Sequence, residues 1–215
     1  MISKRIKLIA SLLDENDRVL DIGTDHALLP IYLIQNNIVS IADGSDISEK
    51  VLESAYRNVS AANLEDKINL FLSDGLKNIN INNYNTLVIA GMGYTTIKGI
   101  LALNDTTVIK KLIIQTNNDY EKLREYLIKN DYVINKEICI KDKSINYIIF
   151  NVAVGKSSLG NEELLCGVYN QQNVWYYKEM VDHLKEILKR IPKTNKEKIL
   201  QIEHQLVIYS DYISR

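Results

Sequence analysis

The run Asp21-Ile-Gly-Thr-Asp25 has the residue types and spacing to grip a small charged ligand. Two acids flank Gly23, which lets backbone come close where a side chain would block a ligand. A dinucleotide-binding turn carries three glycines and sets a pyrophosphate on a helix N-terminus. Here Asp25 stands where a second glycine belongs and Ala27 where a third does. A carboxylate at that place repels pyrophosphate. It suits a cationic ligand, such as the sulfonium and ammonium of S-adenosylmethionine. The competing reading is that Asp25 only caps the following helix.

Other candidates follow at later strand ends. Asp46, with Ile47 beside it, stands where an acid accepts the two hydroxyls of a ribose; Asp43 is the rival at the same strand end. Asp74-Gly75 borders an adenine ring in this architecture, or is an ordinary Asp-Gly turn. Ala90-Gly91-Met92-Gly93 offers two glycines for the approach of a planar group and a soft apolar surface from Met92. Gln115-Thr116-Asn117 can reach a base edge through amide hydrogen bonds. His26 lies beside the same crevice, while His183 and His204 read as surface residues and Tyr147 as core. Two basic stretches are candidates for phosphate contact and salt-sensitive binding. One is Lys4, Arg5 and Lys7; the other is the segment around Lys189, Arg190 and Lys193.

These residues need a frame that gathers them. Strands are expected over 18–20, 38–42, 68–72, 86–90 and 111–115, and helices over 3–13, 27–34, 48–61, 95–103 and 119–129. Pro30 falls in the first turns of its helix, where the amides have no intrahelical partner anyway. Such alternation implies a parallel sheet with right-handed crossovers. Two further strands, 133–140 and 146–154, flank a hairpin-length turn. A parallel sheet ending in an antiparallel hairpin is the methyltransferase variant of the Rossmann-like α/β fold rather than the dehydrogenase variant. A small polar stretch at 155–160 marks a boundary, giving a domain over 1–156 and a C-terminal helical domain over 157–215. In the tail, Val174, Tyr177, Val181, Leu184, Leu188 and Ile191 make one apolar stripe, and Ile199, Ile202, Leu206, Tyr209 and Ile213 another. With Pro192 between them and a capping box from Thr194 to Glu197, they read as an antiparallel coiled-coil hairpin, with the Tyr209 hydroxyl near its open end.

Composition bounds the function. The chain has 215 residues and a formal net charge of −1, so there is no overall basic signal for nucleic acid and a nucleic-acid binder would need local basic patches. Cys139 and Cys166 lack metal-ligand spacing and read as free thiols of a reducing, cytoplasmic compartment. No membrane span, signal peptide or metal site is expected.

Taken together, Ser3-Lys-Arg-Ile, Asp21-Ile-Gly-Thr-Asp-His-Ala-x-Leu-Pro30, Asp74-Gly-Leu, Ile89-Ala-Gly-Met-Gly93 and Gln115-Thr-Asn117 closely resemble, in order and spacing, the bacterial tRNA N1-adenine methyltransferases acting at tRNA position 22. The resemblance covers the whole chain, helical hairpin included. It implies a class I methyltransferase fold, S-adenosylmethionine as cofactor and tRNA as partner; separately, a monomer is expected, although the tail heptads could also pair between two chains. It also implies that Asp21, Gly23, Thr24 and Asp25 line the cofactor's amino-acid end, Asp46 and Ile47 its ribose, and Asp74 and Gly75 its adenine. Gly91 and Asn117 then flank the target-base pocket, with Ala90 and Gly91 also expected beside the cofactor and Met92, Gly93 and Tyr94 beside the target base. Two departures stand out: the family usually has a third glycine where this chain has Tyr94, and Gln-Pro-Asn where it has Gln115-Thr-Asn117.

The N1 lone pair of neutral adenine lies in the ring plane and can attack the methyl directly, so proximity and alignment supply much of the acceleration. Asp25 is expected to stabilise the charge left on the base, with Asn117 as the other catalytic residue. The base must be swung out of its stack. The alternatives are a small-molecule methyltransferase, against which the basic hairpin argues, and a non-catalytic RNA-binding relative, which Tyr94 and Thr116 keep open. A nicotinamide oxidoreductase is disfavoured by Asp25.

Overall fold

The computed structural model describes residues 2–102, 106 and 108–215. Its centre is a seven-stranded sheet in the order β3-β2-β1-β4-β5-β7-β6. The strands are β1 (Arg18–Ile22), β2 (Ile41–Asp46), β3 (Leu70–Leu72), β4 (Thr86–Met92), β5 (Lys111–Thr116), β6 (Tyr132–Asp142) and β7 (Ile145–Val154). The first five run parallel; β7 pairs antiparallel with β5, and β6 with β7. The methyltransferase-type sheet expected from the sequence is the one observed.

Both faces of the sheet are covered, which explains the continuous apolar runs of its central strands. One face packs under α1 (Lys4–Ala10), α2 (Leu28–Gln35) and α3 (Glu49–Ala61), around Val19, Leu33, Val88 and Ile113. The other packs under α4 (Tyr94–Ala102) and α5 (Tyr120–Lys129), around Leu20, Leu87, Ile97, Leu123 and Phe150. The expected end of α4 at Leu103 lies outside the described residues.

Several boundaries differ from the sequence expectation, each for a physical reason. The first helix stops at Ala10, after Ser3 caps its start by accepting from the Ile6 amide at 3.2 Å. Strand β2 runs three to four residues later than its apolar stretch. Its interior holds Asp43 and Ser45, both buried. Asp43 is tolerated there because Tyr84 Oη donates to it at 2.7 Å and the Asn69 amide at 2.7 Å. A buried polar group with such partners avoids most of its desolvation cost.

The C-terminal part contains α6 (Asn161–Cys166), which no pattern announced, then α7 (Val174–Arg190) and α8 (Lys196–Ser214). Asn195 caps α8, accepting from the Lys198 amide at 3.3 Å, in place of the expected Thr194–Glu197 box. The two stripes do face each other: the Tyr177 ring lies 5.2 Å from Tyr209 and 4.3 Å from Tyr212. Tyr209 is therefore buried between helices rather than placed at an open end. Tyr176, Tyr177 and Tyr212 also belong to the apolar cluster that contains Phe150 of β7, so the hairpin is packed onto the sheet.

Candidate active site

Strand order reverses between β1 and β4, and in open α/β sheets ligands bind beyond the carboxyl ends of the strands at such a point. A cleft of about 700 Å³ lies there. Asp21, Gly23, Thr24, Asp25, His26, Asp46, Ala90, Gly91, Met92 and Asn117 all line it. They come from the ends of β1, β2, β4 and β5 and the loops that follow.

Asp21 is the deepest acid. It lies inside β1, 6% exposed, and Thr24 Oγ1 donates to its carboxylate at 2.8 Å. Burial pushes its carboxyl up to about 7; the Thr24 hydrogen bond and the Arg5 charge oppose that shift, and Asp46 and Asp25 add to it. The Gly23 and Thr24 amides both donate to the Ser45 carbonyl, at 2.8 and 2.9 Å, which locks this turn against β2. Gly23 has φ +71°, and a Cβ there would lie 2.2 Å from the Met92 methyl. Backbone and thioether thus meet at the cleft floor in a way only glycine allows.

Asp25 does not cap α2. The N-cap is Ala27, which makes no side-chain cap bond. Asp25 and Ala27 both adopt left-handed backbone, φ +54° and +56°. Two such non-glycine residues in one loop store strain of the kind found at ligand sites. The Asp25 side chain is exposed and faces His26 Nε2 at 3.6 Å. His26 is tied to α3: its Nδ1 meets Ser54 Oγ at 3.0 Å, and Asn58 Nδ2 donates to its carbonyl at 2.9 Å. The histidine anchors the loop that presents Asp25.

Asp46 lines the cleft, whereas Asp43 faces the far end of the sheet beside Arg18 and Lys67. Of the two acids, only Asp46 lines the cleft. Ile47 is exposed next to Asp46, 68% accessible. Asp74 and Gly75, in the turn after β3, are not among the residues lining the cleft, and Lys77 Nζ donates to Asp74 at 2.6 Å.

On the other side the turns after β4 and β5 are laced together. The Gly91 amide donates to Gln115 Oε1 at 3.1 Å, and Asn117 Nδ2 donates to the Gly91 carbonyl at 2.7 Å. Gln115 Nε2 donates to Asn117 Oδ1 at 3.0 Å, and the Asn117 amide to the Met92 carbonyl at 2.8 Å. Asn117 is thereby held with its amide orientation fixed and its side chain exposed to the cleft. Gly93 precedes α4, Tyr94 starts it, and neither lines the cleft.

The basic residues divide. Lys4 is exposed on α1. Arg5 instead enters the cleft, where its Nη1 donates to Gln115 Oε1 at 2.8 Å. Lys189, Arg190 and Lys193 are exposed at the turn between α7 and α8, and Lys189 Nζ donates to Glu186 at 2.5 Å. Sequence reasoning missed the wall opposite the acids: Tyr120, Ile145, Asn146 and Tyr147. The last three sit where the β6–β7 hairpin turns back over the cleft. Alternation within β7 made Tyr147 look like core, and no local signal distinguished it.

Three carboxylates gathered on one side of an open, glycine-floored cleft suit a ligand carrying positive charge and a diol, and disfavour a pyrophosphate. Among the described residues no group of His, Cys, Asp and Glu could hold a metal ion, and no helix is long and apolar enough to cross a membrane.

Comparison with known proteins agrees with this geometry. A family model described as a methyltransferase domain matches residues 2–150. The tRNA (adenine(22)-N(1))-methyltransferase of Bacillus subtilis is 31% identical over 156 residues, 72% of this chain and 66% of that protein. The match thus spans just under two thirds of that relative's length. M. capricolum TrmK, solved with S-adenosyl-homocysteine, is 33% identical with a TM-score of 0.86, covering 100% of this chain and 98% of that one. The putative tRNA (m1A22) methyltransferase Sp1610 of Streptococcus pneumoniae is 28% identical with a TM-score of 0.91, covering 99% and 100%. The chain belongs to the methyltransferase-domain family and, within it, to the bacterial tRNA (adenine(22)-N1)-methyltransferases.

Proposed function

We propose that this protein methylates N1 of adenine 22 in tRNA, with S-adenosylmethionine as donor. The observation that carries this reading is the polarity of the cleft. Acids Asp21, Asp25 and Asp46 line one side, while Arg5 and the Gly91–Gln115–Asn117 lacework form the other.

When bound, the donor supplies a sulfonium methyl for in-line attack by the N1 lone pair. The chain's own residues do the rest. Asp21 and Asp25 favour the cationic amino-acid end. Asp46 accepts from the ribose hydroxyls with Ile47 alongside, and the Asp74-Gly75 turn borders the adenine. Asn117 offers amide groups to the edge of the target base, and the absence of a Cβ at Gly91 leaves room beside it. Asp25, exposed in the loop, sits where a carboxylate offsets the charge that methylation leaves on the base. Residues 1–156 carry the chemistry, and residues 157–215 present Lys189, Arg190 and Lys193 to phosphates remote from it.

The test is methyl transfer from labelled S-adenosylmethionine to unmodified tRNA, followed by nucleoside analysis. Label is expected in N1-methyladenosine and lost when adenine 22 is replaced. Tight cofactor binding with no label in tRNA would overturn the reading.

A further inference from the structure

The wall opposite the acids holds a cation whose direct guanidinium contacts are neutral, although its charge also reaches the Asp21 and Asp142 carboxylates. Arg5 Nη1 donates to the Gln115 amide oxygen at 2.8 Å, and the guanidinium carbon stands 5.0 Å from the centre of the Tyr147 ring. The Arg5 backbone amide donates to Asp142 at 3.2 Å, which fastens the start of α1 to the end of β6. A Cβ placed on Gly91 would meet only the Arg5 guanidinium, at 3.6 Å. The guanidinium therefore lies over the turn that adjoins the target base, backed by an aromatic ring and held at one edge by an amide. Unstacked bases bind on aromatic side chains and on arginine planes of this kind.

Resting on the functional reading above, we propose that Arg5, backed by Tyr147, is the platform on which the everted adenine stacks. We propose further that its charge makes this platform favour neutral adenine over the methylated product. Forming the N1–methyl bond consumes the N1 lone pair, and the electron pair of the broken carbon–sulfur bond stays with sulfur. The base then carries positive charge until an amino proton leaves it. A guanidinium attracts the face of a neutral ring and repels a cationic one. Arg5 thus seats the substrate and loosens the product, while Asp25 across the cleft offsets the charge during transfer. This role differs from a phosphate grip, which would hold substrate and product RNA alike.

The experiment measures binding of two synthetic tRNAs, with adenine or N1-methyladenine at position 22, in the presence of S-adenosyl-homocysteine. Wild type is compared with Arg5→Met, Arg5→Lys, Tyr147→Phe and Tyr147→Leu. The ratio of the two dissociation constants is compared across variants, so any difference in how easily the two bases evert cancels. Arg5→Met is expected to shift the ratio toward the methylated RNA by roughly threefold or more, the scale of a partly desolvated cation–π contact. Arg5→Lys and Tyr147→Phe are expected to retain much of the wild-type ratio, and Tyr147→Leu to lose it. In turnover, Arg5→Met lowers kcat more than it raises KM for tRNA. An unmoved ratio in Arg5→Met, or a rise in KM alone, overturns the platform. Should Arg5→Met fail to fold, an unmoved ratio in Tyr147→Leu does the same. An active wild type with such variants leaves the functional reading standing; a wild type that binds cofactor and methylates no tRNA overturns both.

Discussion

Arg124 and Glu137 form a buried ion pair whose removal has a calculable consequence. Their side chains are 1% and 4% exposed. Arg124 Nε and Nη2 donate to the carboxylate at 2.9 and 2.7 Å, and Nη1 donates to the carbonyls of Leu164 and Leu165 at 3.0 and 2.9 Å. One side chain thus joins α5, β6 and the end of α6, from which the chain leads to the helical hairpin. The Glu137 charge beside it holds the guanidinium well above its usual range, against the opposing effect of burial. Arg124→Met keeps the volume but strands a buried carboxylate and two carbonyls. Leaving one partner of a buried pair costs about 3–5 kcal/mol. Replacing both, as Arg124→Met with Glu137→Met, removes the stranded charge and leaves only the α6 carbonyls unsatisfied, at about 1–3 kcal/mol.

The double variant should therefore be more stable than Arg124→Met alone. Urea unfolding of the four proteins in this cycle measures the difference, with the slope checked for constancy so that midpoints report stability. Because α6 leads to the basic turn, Arg124→Met should also raise KM for tRNA while cofactor affinity stays within about twofold, a small change on the scale of 1.4 kcal/mol per factor of ten. A loss below about 1 kcal/mol, the size of an ordinary substitution, would refute the reasoning. So would a double variant less stable than both single ones.

Two further outcomes follow from the cleft. Asp21 has its carboxyl pushed up to about 7 by burial, so it is protonated in the free protein at pH 6, and a cationic ligand favours its ionised form. Affinity for S-adenosylmethionine should rise with pH up to about 7 and level off above it, with proton release on binding; calorimetry in buffers of different ionisation enthalpy reads both. The sign for stability is the reverse: unfolded Asp ionises near pH 3.9, so the Asp21 contribution to stability of the ligand-free protein falls from there up to about pH 7. Asp21→Asn should flatten both profiles, and a slope that persists in it counts against this account. Gly23→Ala forces a side chain into left-handed backbone and into the Met92 methyl. It should lower stability by about 1–2 kcal/mol and S-adenosyl-homocysteine affinity by at least about tenfold, as a 1.4 kcal/mol loss would; unchanged calorimetric binding would show that Met92 simply moves aside.

The fold was legible because its signals are local. Apolar runs alternating with amphipathic helices mark a parallel sheet, and the paired strands at 133–140 and 146–154 showed its closing hairpin. The acids of the cleft were legible because each is a polar residue at or near the end of a strand, where it interrupts or closes an apolar run. What escaped depends on distant partners. Asp43 reads as a loop residue until Tyr84 and Asn69 are seen to satisfy it. Helix α6 is short and rests on Arg124, 40 residues earlier, and Arg5 reads as a surface charge until α1 is seen against the end of β6. Tyr147 faces a cleft made by elements at the opposite end of the chain, so periodicity alone could not separate it from core.

The two departures from the family pattern leave the site's rigidity intact. Proline between Gln115 and Asn117 would stiffen the turn through its ring. Thr116 reaches the same end by hydrogen bonding: it is fully buried, and its Oγ1 donates to the Asn118 carbonyl at 2.8 Å. Asn118 in turn accepts from the Tyr94 amide at 2.9 Å. The residue in place of a third glycine thus contributes its backbone to the lacework, while its ring packs against the core beside the sheet. Tyr94 is not among the residues that line the cleft. Hydrogen bonding at Gly91 and Asn117 is set by the Gln115 and Asn117 side chains together with the Gly91 and Met92 backbone, and neither substitution removes any of these groups. The structural case for a non-catalytic relative therefore loses the two residues on which it stood.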